Sequence, residues 1–226
     1  MDERLYNKMI VCPVCSENIE VTRVKSRACK VVSRDADFCT HYQDINPLFY
    51  EVWVCGNCGY AALEDKFENI SGKAAKLVAE NISSHWKKRN FTGERSVDNA
   101  IEAFKLALYV LQITKAKASE IAKVCLRIAW LYRLKNDSRE EDFLKFALQN
   151  YMETYEHENF PIDKMDVSTC MYLIAELNRR VGNYEEAVKW FSRIVASPEA
   201  RKNRMLMEFT REQYQLTKEQ IAAARE

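Results

Sequence analysis

Cys12 and Cys15, in CPVC, and Cys55 and Cys58, in CGNC, make two CxxC knuckles separated by 39 residues. A CxxC turn aims two sulfurs at one point, and two such turns supply the four soft ligands of a tetrahedral zinc site, with Zn–S bonds of about 2.3 Å. Gly56 and Gly59 suit such a knuckle, where N–H groups turn in toward sulfur and the backbone can require φ > 0. Four thiolates leave no open coordination position. The expected ion is therefore one structural Zn2+, whose binding folds the surrounding module. Iron uses the same ligand set, but the Irving–Williams order and the long insertion between the knuckles favour a zinc ribbon.

Cys29, Cys39 and His41 lie close by in sequence, and with Asp35 or Asp37 they offer the mixed ligands of a second, more open site. The plainer reading, which the sequence favours, makes Cys29 a small apolar strand residue, Cys39 a core residue and His41 a loop residue. His85 and His157 each stand alone and read as surface histidines. Arg23, Lys25 and Arg27 alternate as they would on one face of a strand, a pattern by which zinc ribbons meet nucleic acid. Residues 1–68 nevertheless carry 8 Lys and Arg against 11 Asp and Glu, so a solvated strand face is the better expectation.

Positioning these residues takes two kinds of structure. Gly and Pro number only 5 and 4 in 226 residues, about a third of their ordinary combined usage of roughly 12%. Few turns mean long elements, and 47% hydrophobic with 30% charged residues favours amphipathic helices over a β-sandwich. Six of the eight cysteines precede residue 60, so the front of the chain differs from the rest. Asp2, Glu3, Arg4 and Lys8 stand where a secretory leader needs an apolar core, and no apolar run approaches the ~18 residues that span a bilayer. The expectation is a cytoplasmic protein with reduced thiols.

Segments 19–24 (IEVTRV), 29–33 (CKVVS) and 50–55 (YEVWVC) alternate with a period of two and predict three strands, with an irregular loop over 34–47. After Asn69 the period changes. Ala74, Val78, Ile82 and Trp86 recur every four residues and predict a helix running to Lys87, Lys88 and Arg89. The division is a zinc-ribbon-like domain over residues 1–69 and a helical domain over 70–226, closed by a C-terminal capping helix. Seven helices are expected in all. Start signals are Ser96, Ser138 with Glu141, Asn183 with Glu186, and Ser197 before Pro198.

Three helical segments place Ala four residues before an aromatic: Ala100 with Phe104, Ala147 with Tyr151, and Ala187 with Phe191. The last, in GNYEEAVKWFSRIVASP, is similar to the second helix of a tetratricopeptide repeat. The expected fold is thus mainly α, a small β module leading a tetratricopeptide-like solenoid of helical hairpins. The intervals between the three alanines, 47 and 40 residues, exceed the repeat norm, so the early repeats are degenerate. Registered on Ala187 and Phe191, the preceding helix turns Thr169, Tyr172, Glu176, Arg179 and Arg180 toward the concave groove. The pair before it turns Lys123, Leu126, Trp130 and Arg133 the same way. That surplus of cations points to an acidic peptide or a C-terminal carboxylate as partner.

Following CPVC, the run VVSRDADFCTHYQDINPLFYEVWVCGNCGYAA (31–62) resembles the bacterial domain of unknown function 2225 family. The family pattern has a CPxC knuckle, an RDxDFC segment, an NPLxYxVxVC strand and a CGYA turn before a helical region, and LRIAWLYRL (126–134) fits the helical part. The resemblance implies that Asp35, Asp37, Cys39, Asn46 and Pro47 matter for the ribbon's shape, and it implies no substrate. The function expected is a non-enzymatic protein-interaction adaptor. The alternatives are nucleic-acid binding through Arg23, Lys25 and Arg27, and a thiol-based redox-sensing zinc protein. No nucleophile with a base and no phosphate loop supports an enzyme.

Overall fold

A computed structural model describes residues 2–224. Three antiparallel two-stranded hairpins come first. β1 (Leu5–Val11) pairs with β2 (Asn18–Val24), β3 (Val31–Arg34) with β4 (Thr40–Tyr42), and β5 (Val52–Val54) with β6 (Ala61–Leu63). The first and third hairpins each carry one CxxC at the turn, and the second is the insertion between them. The three expected strands correspond to β2, β3 and β5. Their partners were not anticipated: Asn7 and Lys8 break the alternation of β1, β4 is three residues inside the presumed loop, and β6 is an Ala-Ala-Leu. Pairing, rather than intrinsic propensity, makes these segments strands.

Seven α-helices follow among the described residues: α1 (Gly72–Asn81), α2 (Val97–Ile113), α3 (Ala118–Leu134), α4 (Arg139–His157), α5 (Val167–Arg180), α6 (Tyr184–Ala196) and α7 (Arg204–Ala223). From α2 to α7 each helix packs on the next in chain order. The anticipated small-aromatic pairs all face inward, with Ala100, Phe104, Ala147, Ala187 and Phe191 fully buried and Tyr151 nearly so. None of the helices is long and apolar enough to cross a membrane.

Local signals fared unevenly. Ser96 caps α2 in a reciprocal capping box with Asn99, each side chain reaching the other's backbone N–H. Ser138 makes no cap bond; Asp137, one residue earlier, accepts from the Arg139 N–H at 3.0 Å instead. Asn183 likewise makes no cap bond to α6; its amide donates to the Asn178 side chain. The Ser197 hydroxyl accepts from the Ala200 N–H at 3.3 Å ahead of a short 3-10 turn over Ala200–Lys202, whose own cap position is Glu199, and α7 begins later, at the cap Asn203. Helix α1 stops at Asn81, five residues short of Trp86. There the Asn81 amide and the Ser84 hydroxyl donate back to the carbonyls of Leu77 and Glu80, and such side chains compete with the helical ladder.

The hairpins and helices share apolar cores. Leu48, Val52, Val54, Ala61 and Leu63 pack with Ala100, Phe104 and Ala107 of α2 and with Ile128 and Leu131 of α3. Arg95, at the entry to α2, is buried and donates to the carbonyls of Phe49, Val52 and Phe91. With carbonyls and no carboxylate around it, burial lowers its pKa to about 10.

Candidate metal centre

The two knuckles are built alike. In the first, the Ser16 N–H donates to the Cys12 carbonyl and the Cys12 N–H to the Glu17 carbonyl; in the second, Gly59 N–H donates to Cys55 and Cys55 N–H to Tyr60. The residue after each second cysteine takes a left-handed backbone, Ser16 at φ 60° and Gly59 at φ 79°. The four sulfurs converge, with one atom of each within 4.8 Å of the others. Cys12 Sγ lies 3.7 Å from Cys58 Sγ, and Cys15 Sγ lies 3.7 Å from Cys55 Sγ. Cys12, Cys55 and Cys58 are buried, while Cys15 is half-buried and accepts from the Asn57 amide.

Hydrogen bonds from the Cys55 and Cys58 thiols, helped by the N–H groups of Cys15 and Val14, draw the Cys12 pKa down to about 4, while the Cys12 anion pushes Cys58 upward. The thiolate favoured at Cys12 is the form in which cysteine binds a soft cation. The four cysteines could hold one metal ion, and their closed tetrad would make it a fold-stabilising one, with every ligand from the protein.

Sequence reasoning missed the segment that covers the second knuckle. After α1 the chain turns so that Trp86 lies flat over Gly59; a Cβ at Gly59 would come within 2.5 Å of that ring. The Trp86 indole N–H donates to the Gly56 carbonyl at 2.9 Å, the Ser83 hydroxyl to the Cys58 carbonyl at 2.9 Å, and the Arg89 N–H again to Gly56. Arg89 stacks on the outer face of Trp86. The two glycines of CGNCG therefore serve close approach as well as turning.

A second group forms at the middle hairpin from Asp35, Cys39 and His41, again with one ligand atom of each within 4.8 Å of the others. Cys29 is not part of it; its thiol reaches the Lys25 carbonyl instead, at 3.8 Å. Cys39 is buried, and burial together with the negative charge of Asp37 pushes its thiol up to about 12. Cys125 and Cys170 are also pushed to about 12 by burial, as expected of inert core thiols. His85 and His157 are exposed.

The residues assigned to a concave groove do come together, but on the chain's own hairpin. Arg133 grips Asp37 through both terminal nitrogens, at 3.0 and 2.6 Å, and reaches Asp35 at 2.6 Å and Glu140 at 2.7 Å. The Trp130 indole donates to Asp37 at 3.1 Å, Arg180 lies 3.5 Å from it, and the Tyr172 hydroxyl donates to the Ala36 carbonyl at 2.9 Å. Phe38 packs against Tyr172 and Phe209. Arg179 and Arg180 bind the fully buried Glu176. The apparent cation surplus is thus already matched inside the molecule. Burial alone would raise the Asp37 pKa, but the hydrogen bond from Arg133 and the charges of Arg180 and Arg133 outweigh it and hold it low.

What stays open is a cleft of about 1350 Å³ between the third hairpin, α3 and the loop before α5, bordered at one end by Asp37 and Phe38. Lys123, Arg127, Trp130 and Thr169 line it over an apolar floor that includes Val110 and Leu126. Lys123 faces Asp65 and Asp163 at 3.7 and 3.6 Å.

The basic strand face is corrected by the same geometry. Only Arg23 lies in β2, where it stacks on Tyr6 and Trp53 and pairs with Glu64. Lys25 follows the strand and Arg27 sits in a 3-10 turn over Ser26–Ala28, so the three do not share a face.

A family model described as an uncharacterized protein conserved in bacteria (DUF2225) matches residues 5–217. The chain belongs to that family. The match runs through both knuckles, the middle hairpin and all but the last turns of α7, and so is not confined to the cysteine motif. No curated protein and no solved structure matches the chain.

Proposed function

We propose that this protein is a non-enzymatic interaction adaptor whose four-cysteine centre holds one structural Zn2+ and whose helices form a degenerate tetratricopeptide-like array. The observation that carries the reading is the closed set of Cys12, Cys15, Cys55 and Cys58 beside an open cleft. A closed thiolate set suits structure and not turnover. Sequential packing of α2 to α7, with small alanines opposite aromatics, supports the helical-hairpin array.

In this reading an extended peptide binds in the cleft. Arg133, Arg179 and Arg180 are occupied by Asp35, Asp37 and Glu176, and Arg127 by Glu51, so recognition falls to Lys123, with the Trp130 ring and the apolar floor beside it. An acidic residue of the partner would compete with Asp65 and Asp163 for Lys123. Zinc supplies folding energy at the knuckles and takes no part in recognition.

Affinity purification from the source cell, with elemental analysis of the same sample after dialysis, tests both halves. A colourless protein retaining zinc is expected; a red iron–thiolate protein would overturn the metal assignment. A stable partner lost from Lys123→Glu but kept by wild type supports the cleft. Equal capture by both proteins places recognition elsewhere.

A further inference from the structure

We propose that Asp35, Cys39 and His41 form a second metal site, a three-ligand one for an exchangeable divalent ion such as Zn2+, distinct from the four-cysteine centre. Cys39 immediately precedes β4 and His41 is its second residue, and the Cys39 sulfur and a His41 ring nitrogen lie within 4.8 Å of each other and of an Asp35 oxygen. Asp35 is brought opposite by the turn itself. Its N–H donates to the Cys39 carbonyl at 2.8 Å, and Phe38 takes a left-handed φ of 69° to close the loop. The His41 Nε2 lies 2.9 Å from Asp35 Oδ1, a pair bridged by a proton along the line that an ion would take. One sulfur, one imidazole nitrogen and one carboxylate oxygen form a mixed set suited to zinc, and three protein ligands leave a fourth position for water or an incoming group.

Two further observations set this group apart from a chance polar turn. The second Asp35 oxygen is held by Arg133 at 2.6 Å, the kind of outer hydrogen bond that orients a ligating carboxylate. The surrounding charges also have room for an ion. Four carboxylates, Asp35, Asp37, Glu140 and Glu176, face three guanidiniums, Arg133, Arg179 and Arg180, and the remaining partner is His41 on Asp35. With His41 neutral, as a ligating imidazole must be, and Cys39 a thiolate, two negative charges are left for a divalent cation. Asp35 and His41 are each about a third or less exposed, at 28% and 33% of their side chains, so the ion could be reached from solvent. The site would tie metal occupancy to the hairpin tip that docks on α3 and α5.

The test is stoichiometry on the full chain. Protein carrying its tightly held zinc is titrated with Zn2+ in competition with a chromophoric chelator, and separately with Co2+. Wild type is expected to take up a second equivalent at micromolar free metal, with visible absorption of a low-symmetry Co2+ centre bearing one thiolate. His41→Ala should weaken this second equivalent at least about tenfold and leave the first untouched, while His41→Cys, which restores a ligand, should keep it. Uptake of only one ion by wild type, or equal uptake of the second ion by wild type and His41→Ala, overturns the proposal. Loss of the first ion alone would count against the four-cysteine reading and not against this one.

Discussion

The residue after the second cysteine decides how well each knuckle closes. Gly59 and Ser16 hold the same place and the same left-handed backbone, and a Cβ at Gly59 would meet the Trp86 ring at 2.5 Å and Ile82 Cγ2 at 2.8 Å, whereas Ser16 already carries one. Gly59→Ala therefore adds backbone strain of about 1 kcal/mol to overpacking of about 1–3 kcal/mol. A loss of roughly 2–4 kcal/mol in urea unfolding at neutral pH is expected. Ser16→Gly relieves a left-handed L-residue with no such contact at stake, and should be neutral or stabilising by up to about 1 kcal/mol. Equal and small effects of the two substitutions would mean that Trp86 does not cover the knuckle in solution.

At the scale of elements, the middle hairpin is the piece that the sequence hid. Its strands expose Val31 and Val32, so little apolar burial holds it, and the work falls to its tip. Replacing Asp37 by Asn removes the buried carboxylate that Arg133 and Arg180 share and weakens its charge-assisted hydrogen bonds, while Asp35, Glu140 and Glu176 still pair the two arginines, so the cost is about 2 kcal/mol. The pH dependence follows from the lowered Asp37 pKa. Its stabilisation is complete above the ordinary carboxylate value of about 3.9 and is lost as pH falls through the folded value. The stability gap between wild type and Asp37→Asn, measured by denaturant unfolding, should be flat near neutrality and shrink in acid; a gap independent of pH would exclude an ionised Asp37. The knuckles were legible because ligand chemistry is written in adjacent residues. Arg133 and Asp37 were not, because they lie 96 residues apart and each looks exposed and unpaired until the hairpin folds onto α3. The same holds for Trp86, whose helical spacing is overruled by two glycines nearly thirty residues earlier. The cap at Ser138 failed for a smaller reason, an aspartate one residue upstream with a better-placed oxygen.

For the molecule as a whole, the question is whether ribbon and helices unfold separately. Cys12, Cys55 and Cys58 share a core with Trp53, Tyr60 and Phe67 from the hairpin region, Val78 and Ile82 from α1 and the segment after it, and Val110 from α2. A second core joins β5 and β6 to α2 and α3, and Arg95 fastens the same junction through three carbonyls. Side chains of both parts pack directly on one another, so stabilisation supplied by an ion at the knuckles is available to the helices. Metal removal by a strong chelator should then lower the melting temperature of the helical circular dichroism signal, not only that of the fluorescence of Trp53 and Trp86, read with Trp130 and Trp190 of α3 and α6 replaced by Phe. In a chain of this size each kcal/mol is worth about 2–4 °C. Loss of about 3 kcal/mol of metal binding therefore predicts a drop of about 6–12 °C, in one transition seen by both probes. A helical transition that stays in place while the fluorescence transition moves would show that the cores are not coupled, and would confine the metal's influence to the hairpins.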